Sequence, residues 1–79
     1  MKVIVRLFAR LRERLGTSRL ELELEEGSTL GDILSLLFEE NPRALMISVN
    51  NELVSMEHPD KIVLKDGDVV DLMPPASGG

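Results

Sequence analysis

Cysteine, tryptophan and tyrosine are absent from this chain, and its only aromatic rings are Phe8 and Phe38. The missing cysteine excludes disulfides, thiolate metal ligands, and any thiol nucleophile or persulfide carried on this polypeptide. Histidine occurs once, as His58 beside Pro59, and a lone imidazole without thiolates does not make a zinc site. No metal site is expected. No apolar run approaches the ~18 residues that mark a membrane-spanning helix. Met1 leads directly into Val3-Ile4-Val5 without a signal-peptide pattern, so a cytoplasmic protein that engages no membrane is expected. Gly27 and Gly31 do not belong to a glycine-rich turn ending in lysine, which excludes a phosphate loop. Glu25-Glu26 and Glu39-Glu40 are sequence neighbours at element ends, where solvation rather than acid–base catalysis is the usual role.

What remains is aliphatic. The 79 residues are 43% hydrophobic and 29% charged, enough for one domain whose core rests on packing alone. The charge is uneven. Residues 1–19 hold Lys2, Arg6, Arg10, Arg12, Arg14 and Arg19 against Glu13, a net +5, while residues 20–79 carry −10. An acidic surface repels nucleic acid and attracts basic protein partners. The arginines lack the interleaved aromatics of a nucleic-acid site and read as a solvated face, so no nucleic-acid partner is expected.

Val3, Val5 and Leu7 alternate with Ile4, Arg6 and Phe8, which predicts a strand with Phe8 on its outer face. Ala9 to Leu15 reads as a short helix closed by Gly16. Leu20, Leu22 and Leu24 alternate with Glu21, Glu23 and Glu25, a half-buried strand returning antiparallel to the first. Ser28 or Thr29 is placed to cap a helix over about 29–40, in which Leu30, Ile33, Leu34, Leu37 and Phe38 form the apolar stripe. Asn41-Pro42 is expected to stop it. Leu45 to Val49, Asn50-Asn51 and Glu52 to Val54 read as a hairpin, residues 55–61 as a loop, and Lys65-Asp66-Gly67-Asp68 as a turn. Val69 to Met73 is the last strand, with Val70 and Leu72 facing inward and Val69, Asp71 and Met73 outward. The expected fold class is α+β, a mixed sheet packed on one central helix with the first and last strands parallel neighbours. The domain spans 1–73, and 74–79 form a flexible tail.

That tail is Pro74-Pro75-Ala76-Ser77-Gly78-Gly79. Two prolines fix φ at the exit of the last strand, and four small residues leave almost no bulk around the terminal atoms. Extended, six residues reach at most roughly 20 Å, far enough to enter a partner's interior. The Gly79 carboxylate is the candidate reactive group.

The stretches Val5-Arg6-Leu7-Phe8-Ala9-Arg10-Leu11-Arg12-Glu13, Gly27 to Leu34, Val49 to Glu52, Leu64 to Val70 and Pro74 to Gly79 resemble, in order, the MoaD/ThiS family of sulfur carriers. The first and last stretches look more like the MoaD branch, the small subunit of molybdopterin synthase. The resemblance implies a ubiquitin-like β-grasp and a role in molybdenum or tungsten cofactor synthesis. It implies that a MoeB-like adenylating enzyme uses ATP to activate Gly79, and that a sulfur donor protein converts it to a thiocarboxylate. Gly78 belongs to the same reactive end. A MoaE-like large subunit would then receive the tail, with Pro74, Pro75, Ala76 and Ser77 threading and Phe8 and Met73 docking; the family often has an aromatic residue where Met73 stands. The carrier is expected to be no enzyme on its own and to bind no permanent cofactor. Two alternatives share the tail: a ubiquitin-like modifier joined to lysines through Gly79, and a ThiS-like donor for thiamine thiazole synthesis.

Overall fold

Period-two alternation makes the first element. In the computed structural model, which describes residues 1–40 and 44–75, β1 (Lys2–Leu7) buries Val3, Val5 and Leu7 and leaves Ile4 and Arg6 half-buried on the other face. A positive φ of 51° at Ala9 turns the chain into α1 (Arg10–Leu15), which sends Leu11 into the core. Gly16, at φ 75°, closes the helix by donating its N–H to the Arg12 carbonyl. β2 (Arg19–Glu23) then runs antiparallel to β1, pairing Leu20 with Val5 and Leu22 with Val3 while Glu21 and Glu23 stay exposed.

A reciprocal cap fixes the start of α2 (Leu30–Leu37). The Thr29 hydroxyl accepts from the Asp32 N–H at 3.3 Å, and the Asp32 carboxylate accepts from the Thr29 N–H at 2.8 Å. Thr29→Ala leaves a helix-end donor unpaired, with an expected cost of about 1 kcal/mol. Thermal unfolding should register this as a drop of roughly 4–8 °C for a domain of this size.

Helix α2 ends three residues short of the span expected from its periodicity. Phe38 leaves helical geometry (φ −130°, ψ 134°), donates its N–H to the Leu34 carbonyl, and buries its ring in the core. The apolar stripe is therefore continued by a non-helical residue that reaches the same core from an extended backbone. Asn41-Pro42, the expected stop, lies outside the described residues.

β3 (Met46–Val49) and β4 (Glu52–Val54) form a hairpin through Asn50 and Asn51, both at positive φ (51° and 69°). Two consecutive positive φ values give the turn the twist that matches its strands. Leu45, expected inside the strand, precedes it as a buried residue. The expected loop 55–61 ends in a 3-10 turn, Pro59–Lys61. Leu30 N–H to Ile62 O and Leu64 N–H to Ser28 O tie the following segment to the start of α2. Gly67, at φ 87°, lies in the turn leading into β5 (Val69–Met73).

The sheet order is β2-β1-β5-β3-β4, with β1 and β5 parallel and every other pair antiparallel. β5 is therefore central. Val70 and Leu72 share one core with Val3, Val5, Leu7, Ile47 and the α2 residues Leu30, Ile33 and Leu34. Helix α2 covers that face, and the residues of the other face lie outside the core.

Candidate functional site: the outer sheet face and the root of the tail

The register of β5 decides what surrounds the tail. Leu7 pairs with Leu72, and the Phe8 N–H donates to the Leu72 carbonyl at 3.3 Å, so Phe8 lies one step further on, beside Met73. Met46 pairs with Met73 from the other side. Phe8, Met73 and Met46 thus form an apolar row on the outer face at the root of the tail, with Phe8 41% exposed and both methionines half-buried. Two of these three were named from the sequence. Met46 was missed although it alternates with buried Ile47, because only the β3–β5 pairing brings it to Met73.

The adjacent row, read across the sheet, is Arg19, Arg6, Asp71, Ser48 and Leu53. Asp71 points outward as alternation predicts, yet it is only 7% exposed. Its carboxylate accepts from Arg6 Nε at 2.5 Å and Arg6 Nη2 at 2.7 Å, and from the Ser48 hydroxyl at 3.3 Å. This two-pronged geometry suits a planar guanidinium and fixes both side chains. The hydrogen bond to Asp71, and then its charge, raise the Arg6 pKa above its already high value, against a smaller opposing effect of burial. Arg6 therefore remains a cation at every pH at which the protein would function. On the far side of this row lie Ile4 and Val69, both half-buried.

Past Met73 the chain enters Pro74 and Pro75, which have no N–H to continue a ladder. Both are half-buried and line an open groove of about 630 Å³ with Arg10, Leu11, Glu13, Arg14 and Leu45. The Arg14 guanidinium sits 5.5 Å from the Phe38 ring centroid, a cation–π distance. Ala76, Ser77, Gly78 and Gly79, the reactive end named from the sequence, lie outside the described residues. His58 is exposed at the start of the 3-10 turn, and no group of three potential metal ligands occurs among the described residues. No helix among them is long and apolar enough to cross a membrane.

A mixed five-stranded sheet with parallel β1 and β5 at its centre, closed on one face by α2, defines a ubiquitin-like β-grasp protein. Its outer face and proline exit are the parts left uncovered. A sequence model described as the ThiS family matches residues 5–79, and the chain belongs to that family. It is 34% identical over 85 residues to the molybdopterin synthase sulfur carrier subunit of Chlamydomonas reinhardtii, with both proteins covered in full. Among solved structures it resembles a putative molybdopterin converting factor subunit 1 from Pyrococcus furiosus (32% identity, TM-score 0.78, 95% and 98% of the two chains covered). It also resembles a chain in the complex of subunits 1 and 2 of the molybdopterin-converting factor of Helicobacter pylori (26% identity, TM-score 0.69, both chains covered in full). The small archaeal modifier protein 1 of Methanosarcina acetivorans shares the fold at 28% identity and TM-score 0.77, covering 99% and 96%.

Proposed function

We propose that this protein is the sulfur-carrying small subunit of a molybdopterin synthase and that the Gly79 carboxyl is the group it loads. The observation that carries the reading is the full-length match to a sulfur carrier subunit of that synthase. The chemistry of the chain agrees with it. A terminal carboxyl has a pKa of about 3.3–3.7 and is ionised at neutral pH, which makes it a poor acyl electrophile. A MoeB-like partner corrects this by joining the carboxylate to the α-phosphorus of ATP with loss of pyrophosphate. Sulfide-level sulfur delivered by a donor protein then attacks the acyl carbon, displaces AMP and leaves the thiocarboxylate. Within a MoaE-like large subunit the thiocarboxylate sulfur bonds to a pyranopterin phosphate, and water then cleaves the acyl–sulfur bond, leaving the sulfur on the pterin and returning Gly79 to a carboxylate.

The carrier contributes no catalytic group of its own. Its part is to hold Gly78-Gly79 on a chain with minimal bulk beyond Pro74-Pro75, so that two different partners close around the same carbon. Phe8, Met73 and the newly placed Met46 supply the apolar contact that brings a partner to the root of the tail. Phe8→Asp or Met73→Asp should weaken association with the large subunit by at least about 30-fold, the effect of losing a central anchor worth ~2 kcal/mol. Calorimetry on the purified pair measures this, while adenylation at Gly79 should change much less. The proposed setting is the cytoplasm.

Genetic rescue tests the reading. The gene should restore a strain lacking the small synthase subunit to molybdenum-cofactor-dependent growth. Rescue of a thiamine auxotroph instead would select the thiazole-synthesis alternative. The likeness to the archaeal modifier favours a second reading, conjugation through Gly79 to lysines. High-mass adducts in cell lysate that vanish on deletion of Gly79 would identify it.

A further inference from the structure

The outer face of the sheet is apolar in the row that borders the tail, and Ile4 and Val69 flank its other side, yet its middle is ionic. Arg6 has five N–H donors. Two of them are spent on Asp71, and among the described residues no other acceptor lies within hydrogen-bond distance of its side chain. The Arg6 side chain is 44% exposed and that of Asp71 only 9%. The carboxylate is thus satisfied within the domain, while the guanidinium turns its unspent edge to solvent at the centre of the face.

The geometry points to Arg6, held by Asp71 and Ser48, as the residue that selects the docking partner. It would accept a large subunit that sets a carboxylate or carbonyl acceptor into its own apolar patch opposite Arg6, and disfavour one that does not. The inference rests on the proposed function, since the partner is the large synthase subunit. The physical ground is an asymmetry of hydrogen bonding. A partner that covers this face strips water from three cationic donors, and leaving them unmatched costs more than matching them gains. The apolar row at the root of the tail on one side, and Ile4 and Val69 on the other, bring the partner's surface close enough to do this. Arg6 supplies two of the three hydrogen bonds to Asp71 and Ser48 the third, so Arg6 cannot swing away without leaving a buried carboxylate with a single donor. Continuity with the Phe8–Met73–Met46 row places Arg6 inside the contact rather than at its rim.

The test is calorimetric titration of the unloaded protein into the large subunit encoded by the same organism. Arg6→Leu with Asp71→Leu removes both charges and preserves a strand-compatible surface, and Arg6→Lys keeps the charge but loses the fork. The double variant should bind about 10- to 100-fold more weakly than the wild type, the range for one charged hydrogen bond left unanswered on the partner. Arg6→Lys should fall between the two. Melting temperatures confirm that each variant is folded, and Arg6→Lys keeps the test open if the double variant is not. Wild-type binding with unchanged affinity in a folded double variant, or in Arg6→Lys if the double variant does not fold, overturns this inference alone. Failure of the wild type to bind the large subunit overturns the functional reading with it.

Discussion

A chain lacking Gly78 and Gly79 is expected to carry no sulfur and yet to melt where the full chain melts. The acyl adenylate and the thiocarboxylate both form on the last carboxyl carbon, so a chain ending at Ser77 presents the carbon in the wrong place, attached to a larger residue. In a partner active site shaped around two glycines, displacing the reacting atom by even ~1 Å costs on the order of 100-fold, and a two-residue displacement removes the reaction. Stability should not follow. The described core ends at Leu72, two residues before the first proline of the tail. Loss of terminal residues outside a core leaves folding nearly unchanged. Sulfur transfer to the pyranopterin substrate should fall to background while the thermal midpoint stays within a degree or two, a difference below the ~4–8 °C that 1 kcal/mol produces in such a domain. A large fall in the midpoint would mean that the tail is a structural element.

Leu72→Ala should do the opposite. Leu72 is fully buried in the central strand, paired with Leu7 on one side and Ile47 on the other, and belongs to the cluster beneath α2. Its replacement leaves a void that neither neighbouring strand can fill without breaking register. Such truncations cost about 2–5 kcal/mol. A domain of 79 residues has a total stability of roughly 4–12 kcal/mol, so the variant would sit near the edge of unfolding. Urea denaturation should show a midpoint lowered by roughly 40%, the ratio of the central values ~3.5 and ~8 kcal/mol, with an unchanged slope. Gly79 of the fraction that remains folded should still be loaded. Together the two variants separate what the domain is for from what holds it up.

Much of the architecture could be read from alternation and turn chemistry. Val3-Val5-Leu7 against Ile4-Arg6-Phe8, the Leu-Glu repeat of β2, the Asn50-Asn51 turn and the Thr29 cap all carry local signals, and each lies where those signals put it. The parallel pairing of β1 with β5 is the order that a long crossover containing a helix permits, and the strands lie so. Three features were not legible, and each depends on contacts distant in sequence. Phe38 continues the helical spacing but reaches the core from extended backbone, a distinction that periodicity does not make. Asp71 looks like any polar residue on an open strand face until Arg6 and Ser48, 65 and 23 residues away, close around it. Met46 joins the docking row only through its register with Met73. The reactive end itself was named from residue type and its place in the chain.

The central claim is that Gly79 is a sulfur-bearing terminus, and the mass of the intact protein tests it most directly. After incubation with ATP, a MoeB-like activating enzyme and a sulfide source, the protein should gain about 16 Da, the difference between sulfur and oxygen, localised to Gly79. An unchanged mass, with an activating enzyme that loads its own carrier under the same conditions, would contradict it.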